Sequence, residues 1–165
     1  MDNTEVRQAA TDDFRALLSI RNTPRLFKEY LSAPMNEAPF FVFVVDGEML
    51  GFARLKLPTP SDGPNKKRPL ISDLFVAPER RSRGIGSAFI GELESMARDL
   101  GHRQVYIGVD PVDNPRMVEL CKRLGYTPVQ VEPYQAKMSF HNADGTAPVR
   151  KTYWRIELVK HLTGA

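Results

Sequence analysis

The sequence of 165 residues contains one cysteine, one tryptophan and three histidines. A single cysteine excludes a framework of intrachain disulfides and is compatible with a reducing compartment. His102, His141 and His161 show no metal-ligand spacing, so we expect no metal. No apolar run approaches the ~20 residues of a membrane span, and Met1–Glu5 has neither a basic region nor an apolar core. These absences make a cytoplasmic location, with no membrane partner, the default expectation.

Composition and charge are those of an ordinary globular chain, with 42% hydrophobic and 26% charged residues. The length is sufficient for one substantial core, so we expect a single domain over residues 1–165. The net charge of +3 is uneven, because basic residues cluster at Lys66–Arg68 and Arg80–Arg83. Such clusters either attract a polyanion or lie in solvent. No aromatic residues alternate with them, so a nucleic-acid partner is not expected.

Hydrophobic periodicity predicts a mixed sheet with helices, an α/β or α+β fold. Helical spacing is predicted around Phe14–Leu18 and Pro24–Leu31, and a strand hairpin around Asp46–Gly47. A loop rich in proline then precedes alternating strands and helices. These elements are Pro58–Pro69 (loop), Leu70–Val76 (strand), Ile85–Leu100 (helix), Gln104–Val109 (strand), Pro115–Leu124 (helix) and Tyr126–Val131 (strand).

The end of the sequence alternates between apolar and polar residues with a period of two. This pattern runs through Tyr134–Phe140 and Thr152–Val159, on either side of the segment Asn142–Gly145. It predicts a long antiparallel hairpin with one buried face. Within that hairpin we expect Trp154 to lie in the core. The alternation of Tyr134 with Ala136 favours packing, and entry of Tyr134 into a cleft is its alternative.

A strand followed by a glycine-containing turn is the most informative segment. The strand Leu70–Val76 leads through Pro78 and a basic turn to Gly84 and Gly86, which open a helix. The first N–H groups of a helix lack intrahelical partners and its dipole is positive there, so this turn suits a diphosphate. The dinucleotide fingerprint fails, because Phe89 replaces its third glycine. The phosphate loop fails as well, because no lysine follows Gly86.

What remains is R-x-x-G-x-G, Arg81–Gly86, which resembles the acyl-CoA-binding motif of the GNAT superfamily of N-acetyltransferases. A second segment, Asn114–Tyr126, resembles the other signature of that family. There an asparagine opens a short helix that ends before a glycine and an aromatic residue. The two segments occur in the family's order, with a helix and a strand between them.

The resemblance implies a mostly antiparallel mixed sheet, splayed between its fourth and fifth strands and flanked by about four helices. It implies acetyl-CoA as cosubstrate, with its pantetheine arm along the fourth strand and its diphosphate on the glycine turn. By family analogy a homodimer is expected. The cofactor-binding residues implied are Leu74, Phe75, Val76, Arg81, Ser82, Arg83, Gly84, Ile85, Gly86, Ser87 and Asn114.

Two residues are candidates for the chemistry. Acetylation requires a neutral amine, and Asp73 is the only acidic residue of its strand, so it is the candidate base. An ion pair with a lysine or arginine is its alternative role. Cys121 stands where the family usually has a tyrosine that protonates the departing thiolate. A thiol, with a reference pKa of about 8.5, can donate a proton, but Cys121 can equally pack as a small hydrophobic residue.

The function expected is transfer of an acetyl group from acetyl-CoA to a primary amine of a small molecule or peptide. The lone cysteine has no evident basic partner for a covalent relay, so the amine would attack directly in a ternary complex. A backbone N–H of Val76 or its neighbour would stabilise the oxyanion. The alternatives are a noncatalytic acyl-CoA-binding module, a basic nucleic-acid-associated protein, and a site for another phosphorylated ligand.

Overall fold

The computed structural model describes residues 3–32, 38–64, 66–81, 83–130, 132–141 and 148–162. Within these ranges the chain forms eight strands and four α-helices. In chain order they are β1 Thr4–Gln8, α1 Phe14–Ile20, α2 Pro24–Ser32, β2 Phe40–Val45, β3 Glu48–Lys56, β4 Leu70–Val76, α3 Ile85–Asp99, β5 Gln104–Val109, α4 Pro115–Arg123, β6 Thr127–Pro128, β7 Tyr134–His141 and β8 Pro148–His161.

The eight strands form one mixed sheet in the order β1-β2-β3-β4-β5-β8-β6, and β7 pairs with β8. Neighbouring strands are antiparallel except β4 and β5, which run parallel. These two strands pair only through Leu70 with Tyr106 and Ile71 with Ile107, and beyond these pairs they separate. The structure therefore confirms the predicted mixed, mostly antiparallel sheet that is splayed between its fourth and fifth strands.

Strand β4 contains a bulge where it leaves β5. Phe52 and Arg54 of β3 lie opposite Phe75 and Ser72, so one residue lies between the β3 positions and two lie between the β4 positions. The additional residue falls at Asp73, whose φ of 57° lies in the left-handed region that non-glycine residues seldom adopt. A bulge with one residue in this conformation turns the strand and interrupts its ladder of hydrogen bonds.

Two apolar cores cover the two faces of the sheet, because β3 sends alternate side chains to opposite sides. Ala53 and Leu55 lie in a core with α3 and α4, whereas Phe52 packs with α1 and α2. The smaller core is largely aromatic, and its buried residues are Leu17, Phe27, Tyr30, Phe40, Val42, Val44 and Phe52. Helix α2 therefore lies across β2 and β3, which brings Tyr30 over the start of the splay.

Three expectations about the last third of the sequence require correction or limitation. The strand expected over Tyr126–Val131 is only Thr127–Pro128, because Tyr126 turns into the core, where it is 2% exposed. Trp154 is 42% exposed, since it lies beyond Ile156, where the pairing of β8 with β5 ends. The hairpin itself forms between β7 and β8. Its turn at 142–145 lies outside the described residues.

In the part of the chain that the structure describes, no helix is long and apolar enough to cross a membrane.

An ion pair fastens α1 to β1. The Arg7 guanidinium donates to both carboxylate oxygens of Asp13, at 2.8 and 2.9 Å, and the Ala10 N–H donates to Oδ2 at 2.7 Å. These hydrogen bonds, that from Arg7 above all, hold the pKa of Asp13 below its usual range although burial opposes them. The carboxylate is therefore favoured in the folded state.

We predict that Asp13→Asn lowers the free energy of unfolding by about 1 kcal/mol near neutral pH, since Arg7 is partly exposed. The folded pKa lies below the unfolded one. The stabilisation is therefore complete above the unfolded pKa and is lost as the pH falls through the folded pKa. Urea unfolding at several pH values measures this, with the exposed neighbour substitution Asp12→Asn as control. If Asp13→Asn lowers the free energy of unfolding by the same amount at neutral and at strongly acidic pH, the stabilising role of the Asp13 carboxylate is contradicted.

Candidate active site

The first turn of α3 offers main-chain donors at the carboxyl end of β4. Gly84 precedes the helix with φ 78°, a conformation that favours glycine. The hydrogen bond that begins the helix runs from the Ala88 N–H to Gly84 O, at 3.0 Å. The N–H groups of Ile85, Gly86 and Ser87 precede that bond and have no intrahelical partner. The predicted diphosphate turn thus has the geometry of an anion site.

The arginines of this turn are held in different ways. Arg80 forms an ion pair with Glu48 at 2.6 Å, which ties the turn to β3. Arg81 donates from Nε to Val76 O at 2.9 Å and places its guanidinium 4.8 Å from the centre of the Phe75 ring. Arg83 is exposed. Ser82, also predicted to bind the cofactor, lies outside the described residues.

The other predicted cofactor-binding residues border the same splay. Leu74 and Phe75 are half-buried in β4, and Phe75 stacks on Phe52 with 5.4 Å between ring centres. Asn114 begins α4, where its Oδ1 accepts the N–H of Met117 at 3.3 Å. Asn114 therefore has a local capping role, and its side chain is exposed.

Asp73 lies at the bulge, next to the point where β4 and β5 separate. The Tyr30 hydroxyl donates to its Oδ2 at 2.8 Å, and Ser72 Oγ donates to the same oxygen at 3.3 Å. Burial, reinforced by the Asp73 carboxylate, raises the pKa of Tyr30 well above its usual range, so Tyr30 remains a donor. Asp73 itself is exposed. Among the described residues, no lysine or arginine forms an ion pair with it.

A basic pocket of about 320 Å³ lies against β3, and one of its lining residues, Arg54, is opposite Ser72, the residue before Asp73. Arg54 and Lys56 of β3 line it together with Arg68, and Arg54 stacks on the Tyr30 ring at 4.3 Å. Burial lowers the pKa of Lys56. Arg54 and Lys56 were not predicted as site residues from the sequence, where they fall in the second strand of the hairpin expected around Asp46–Gly47. The available signal was a pair of cations two residues apart in an otherwise apolar strand, which places both on one face.

Across the splay, Arg155 fills the space beside Gly108. A Cβ at Gly108 would collide with the Arg155 guanidinium. Arg155 approaches the buried Glu157 at 3.4 Å, and Glu157 also accepts from Tyr134 at 3.0 Å and pairs with Lys67 at 2.9 Å. Burial disfavours the Glu157 charge, but the hydrogen bonds from Lys67 and Tyr134 outweigh it and lower the pKa of Glu157. Tyr134, expected to pack, is instead 38% exposed and bonded to this carboxylate.

The profile of the Acetyltransferase (GNAT) family matches residues 3–126 of the chain. The chain belongs to this family. The finding confirms the resemblance that the two motifs indicated, and it supports the expected enzyme class. An uncharacterized N-acetyltransferase of Methanocaldococcus jannaschii is 34% identical over a match that covers 58% of this chain and 42% of that protein. The matched region thus spans less than half the length of that relative.

Solved structures agree with the GNAT assignment at the level of the fold. The ribosomal-protein-S18-alanine N-acetyltransferase of Escherichia coli has a TM-score of 0.67 at 15% identity, with 99% of this chain and 96% of that chain covered. A GNAT acetyltransferase of Elizabethkingia anophelis with acetyl-CoA bound has a TM-score of 0.62 at 15% identity, with 98% and 100% covered. At such identities the likeness shows the fold alone.

Cys121 of this GNAT domain lies inside the core between the sheet and α4. Its side chain is 0% exposed, and burial, with a smaller effect of Glu94, raises its pKa to about 12. Nearby, the Tyr126 hydroxyl donates to Glu94 at 2.7 Å, and Lys160 pairs with Glu94 at 3.1 Å. This placement favours the packing role of Cys121 and argues against proton donation into the splay.

Metal ligands do not converge anywhere in residues 3–32, 38–64, 66–81, 83–130, 132–141 and 148–162. Within these ranges no group of three histidine, cysteine, aspartate or glutamate side chains could hold an ion.

We predict that Ellman's reagent reacts with native protein far more slowly than with protein unfolded in guanidinium, which exposes one thiol per chain. The cause is the burial of Cys121, so saturating acetyl-CoA, a thioester without a free thiol, should leave the native rate unchanged. The Cys121→Ala variant is the control for background reaction. Rapid stoichiometric labelling of the native protein, suppressed by acetyl-CoA, would show instead that the thiol faces the cofactor.

Proposed function

We propose that this GNAT domain transfers an acetyl group from acetyl-CoA to a primary amine, which attacks the thioester directly in a ternary complex. The observation that carries the proposal is the splay of β4 and β5. It joins two features that the reaction requires: an anion-binding helix terminus at the carboxyl end of β4, and an exposed carboxylate, Asp73, where the strands begin to part.

In this proposal the diphosphate binds the N–H groups of Ile85–Ser87, and the pantetheine arm enters the splay. Residues of β4 from Ser72 onward have no partner on β5, so their main chain is free on that side. Leu74 and Val76 can therefore bond to the amides of the arm. Arg81, which covers Val76 O in the structure, would have to release that carbonyl. Asn114 lies at the start of α4, which packs in the same apolar core as α3.

Asp73 would act as the base that removes a proton from the amine, directly or through water. Tyr30 and Ser72 both donate to Oδ2, which fixes the orientation of the carboxylate while the residue stays exposed. The bulge leaves a main-chain group of β4 unpaired. The N–H of Leu74 is thus a further candidate donor to the oxyanion, two residues before Val76, where the sequence suggested the N–H of Val76 or its neighbour.

The departing thiolate does not require Cys121 as its acid. A thiol with a reference pKa of about 8.5 is largely protonated by water at neutral pH once it has left. Expulsion of the thiolate and its protonation by solvent is therefore consistent with the burial of Cys121 in the core.

Replacing Asp73 tests the chemistry. We expect Asp73→Asn to lower kcat by about 100-fold or more, because the amide cannot accept the proton, with little change in CoA affinity. Release of free thiol from acetyl-CoA with a panel of primary amines measures kcat, and calorimetry measures CoA binding. Asp99→Asn, at the exposed end of α3, is the matched control. If the wild-type protein binds CoA but releases thiol with none of the amines, the result would favour a noncatalytic acyl-CoA-binding module.

Replacing Ser87 tests the diphosphate site separately from the chemistry. A carboxylate in the first turn of a helix is favourable, so Ser87→Glu should preserve or raise the thermal stability of the protein. The same charge repels a diphosphate, and we expect CoA affinity to fall about tenfold or more. The control Ser87→Ala should bind CoA within about threefold of wild type. Equal CoA affinity for the Glu and Ala variants would place the diphosphate elsewhere.

A further inference from the structure

The basic pocket against β3 has a charge balance unlike that of a site for a simple amine. Its described lining carries three cations, Arg54, Lys56 and Arg68, against one carboxylate, Asp62. Asp62 Oδ2 accepts the N–H of Thr59 at 2.7 Å within the loop and forms no ion pair with the three cations. Among the described lining residues, the cations therefore outnumber the carboxylates by two.

The cations are close to Asp73 but distant from the proposed diphosphate site. Arg54 lies opposite Ser72, the residue before Asp73, and its guanidinium stacks on Tyr30, whose hydroxyl donates to Asp73. Lys56 lies opposite Leu70, at the beginning of β4. Helix α3 begins beyond the other end of this strand, about 20 Å away at 3.3 Å per residue. These cations therefore cannot serve the CoA diphosphate.

Arg54 and Lys56 are held in a partly buried environment and form no ion pair among the described residues, although the charge of Asp73 acts on Lys56. Arg54 Nε is buried and has no hydrogen-bond partner among them. No carboxylate of the described part of the chain lies within ion-pair distance of Arg54, Lys56 or Arg68. Burying cations is unfavourable unless an anion pairs with them, and burial already lowers the pKa of Lys56. The arrangement is therefore suited to an anionic ligand group.

We infer that the acceptor is a small zwitterion whose amine lies at Asp73 and whose anionic group, a carboxylate or a phosphoryl group, binds Arg54, Lys56 and Arg68. The inference rests on the proposed function for its amine end. A pocket of about 320 Å³ is at the small end of the range for ligand sites, which suits a molecule of amino-acid size. A guanidinium can bind either anion through two hydrogen bonds, and a polyamine would be repelled.

Matched acceptors test the charge requirement. Each anionic amine is compared with a partner that keeps the primary amine and loses the anion: an amino acid with its amide, and an aminoalkyl phosphonate with its diester. A diamine of equal length represents the cationic class. We expect kcat/KM to be about 10- to 100-fold higher for the anionic member of at least one pair. The pair with the larger ratio distinguishes a carboxylate from a phosphoryl group.

Variants of the pocket test the location. Lys56→Gln and Arg54→Gln should each lower kcat/KM for the anionic acceptor about tenfold or more, while kcat/KM for its neutral partner changes less than about threefold. The KM for acetyl-CoA should not change. Lys66→Gln, an exposed cation of the adjacent loop, is the control. Because Arg54 also packs on Tyr30, Arg54→Gln can lower the stability of the fold, and thermal unfolding of this variant measures that effect. Lys56→Gln tests the pocket without removing this contact.

The failure of this inference is distinguishable from that of the proposed function. Thiol release that is faster with the diamine or with the neutral amines overturns the zwitterionic acceptor and leaves amine acetylation standing. If no amine releases thiol, the proposed function fails. Calorimetry with the same amines and CoA-saturated protein then tests whether the pocket binds an anionic group. Binding of an anionic amine that is abolished by Lys56→Gln supports the anion-binding pocket. Absence of binding by every anionic amine overturns it.

Discussion

The separation of β4 from β5 is the constraint on which the rest of the site depends. Two residue pairs, Leu70 with Tyr106 and Ile71 with Ile107, hold the strands together at one end, and a bulge at Asp73 turns β4 away. Separated parallel strands leave main-chain groups exposed that a continuous sheet would satisfy. Such groups are stable only if water or a ligand pairs with them, so the splay is both a cost to the fold and a candidate binding site.

The three functional features follow from this separation and from what each neighbouring element places beside it. Helix α3 begins at the wide end and offers unpaired N–H groups. Helix α2 packs across β2 and β3 through an aromatic core, so that Tyr30 reaches Asp73 at the narrow end. Strand β3 sends Arg54 and Lys56 to the same side, next to Asp73. The proposed donor and acceptor sites thus lie at opposite ends of β4, with the proposed base, Asp73, between the wide end and the basic pocket.

The sequence allowed good prediction of the elements that local rules control. The bounds of β4 and β5 were predicted as the structure has them, because each is an apolar run ended by a proline or a polar turn. The α3 turn could be predicted because its glycines and arginines are contiguous. The contact between Tyr30 and Asp73 could not be predicted, since they are 43 residues apart and only the packing of α2 brings them together. Trp154 was misplaced for a similar reason: alternation gives two faces but not where the neighbouring strand ends.

We propose that the splay binds the cosubstrate with its diphosphate on α3 and its reacting end at Asp73. A crystal structure of the protein with CoA tests this binding mode. We expect diphosphate oxygens bonded to the N–H groups of Ile85–Ser87, Arg81 displaced from Val76 O, and the CoA sulfur beside Asp73. A CoA molecule bound outside the splay, or one whose sulfur points away from Asp73 with Arg81 still bonded to Val76 O, would contradict it.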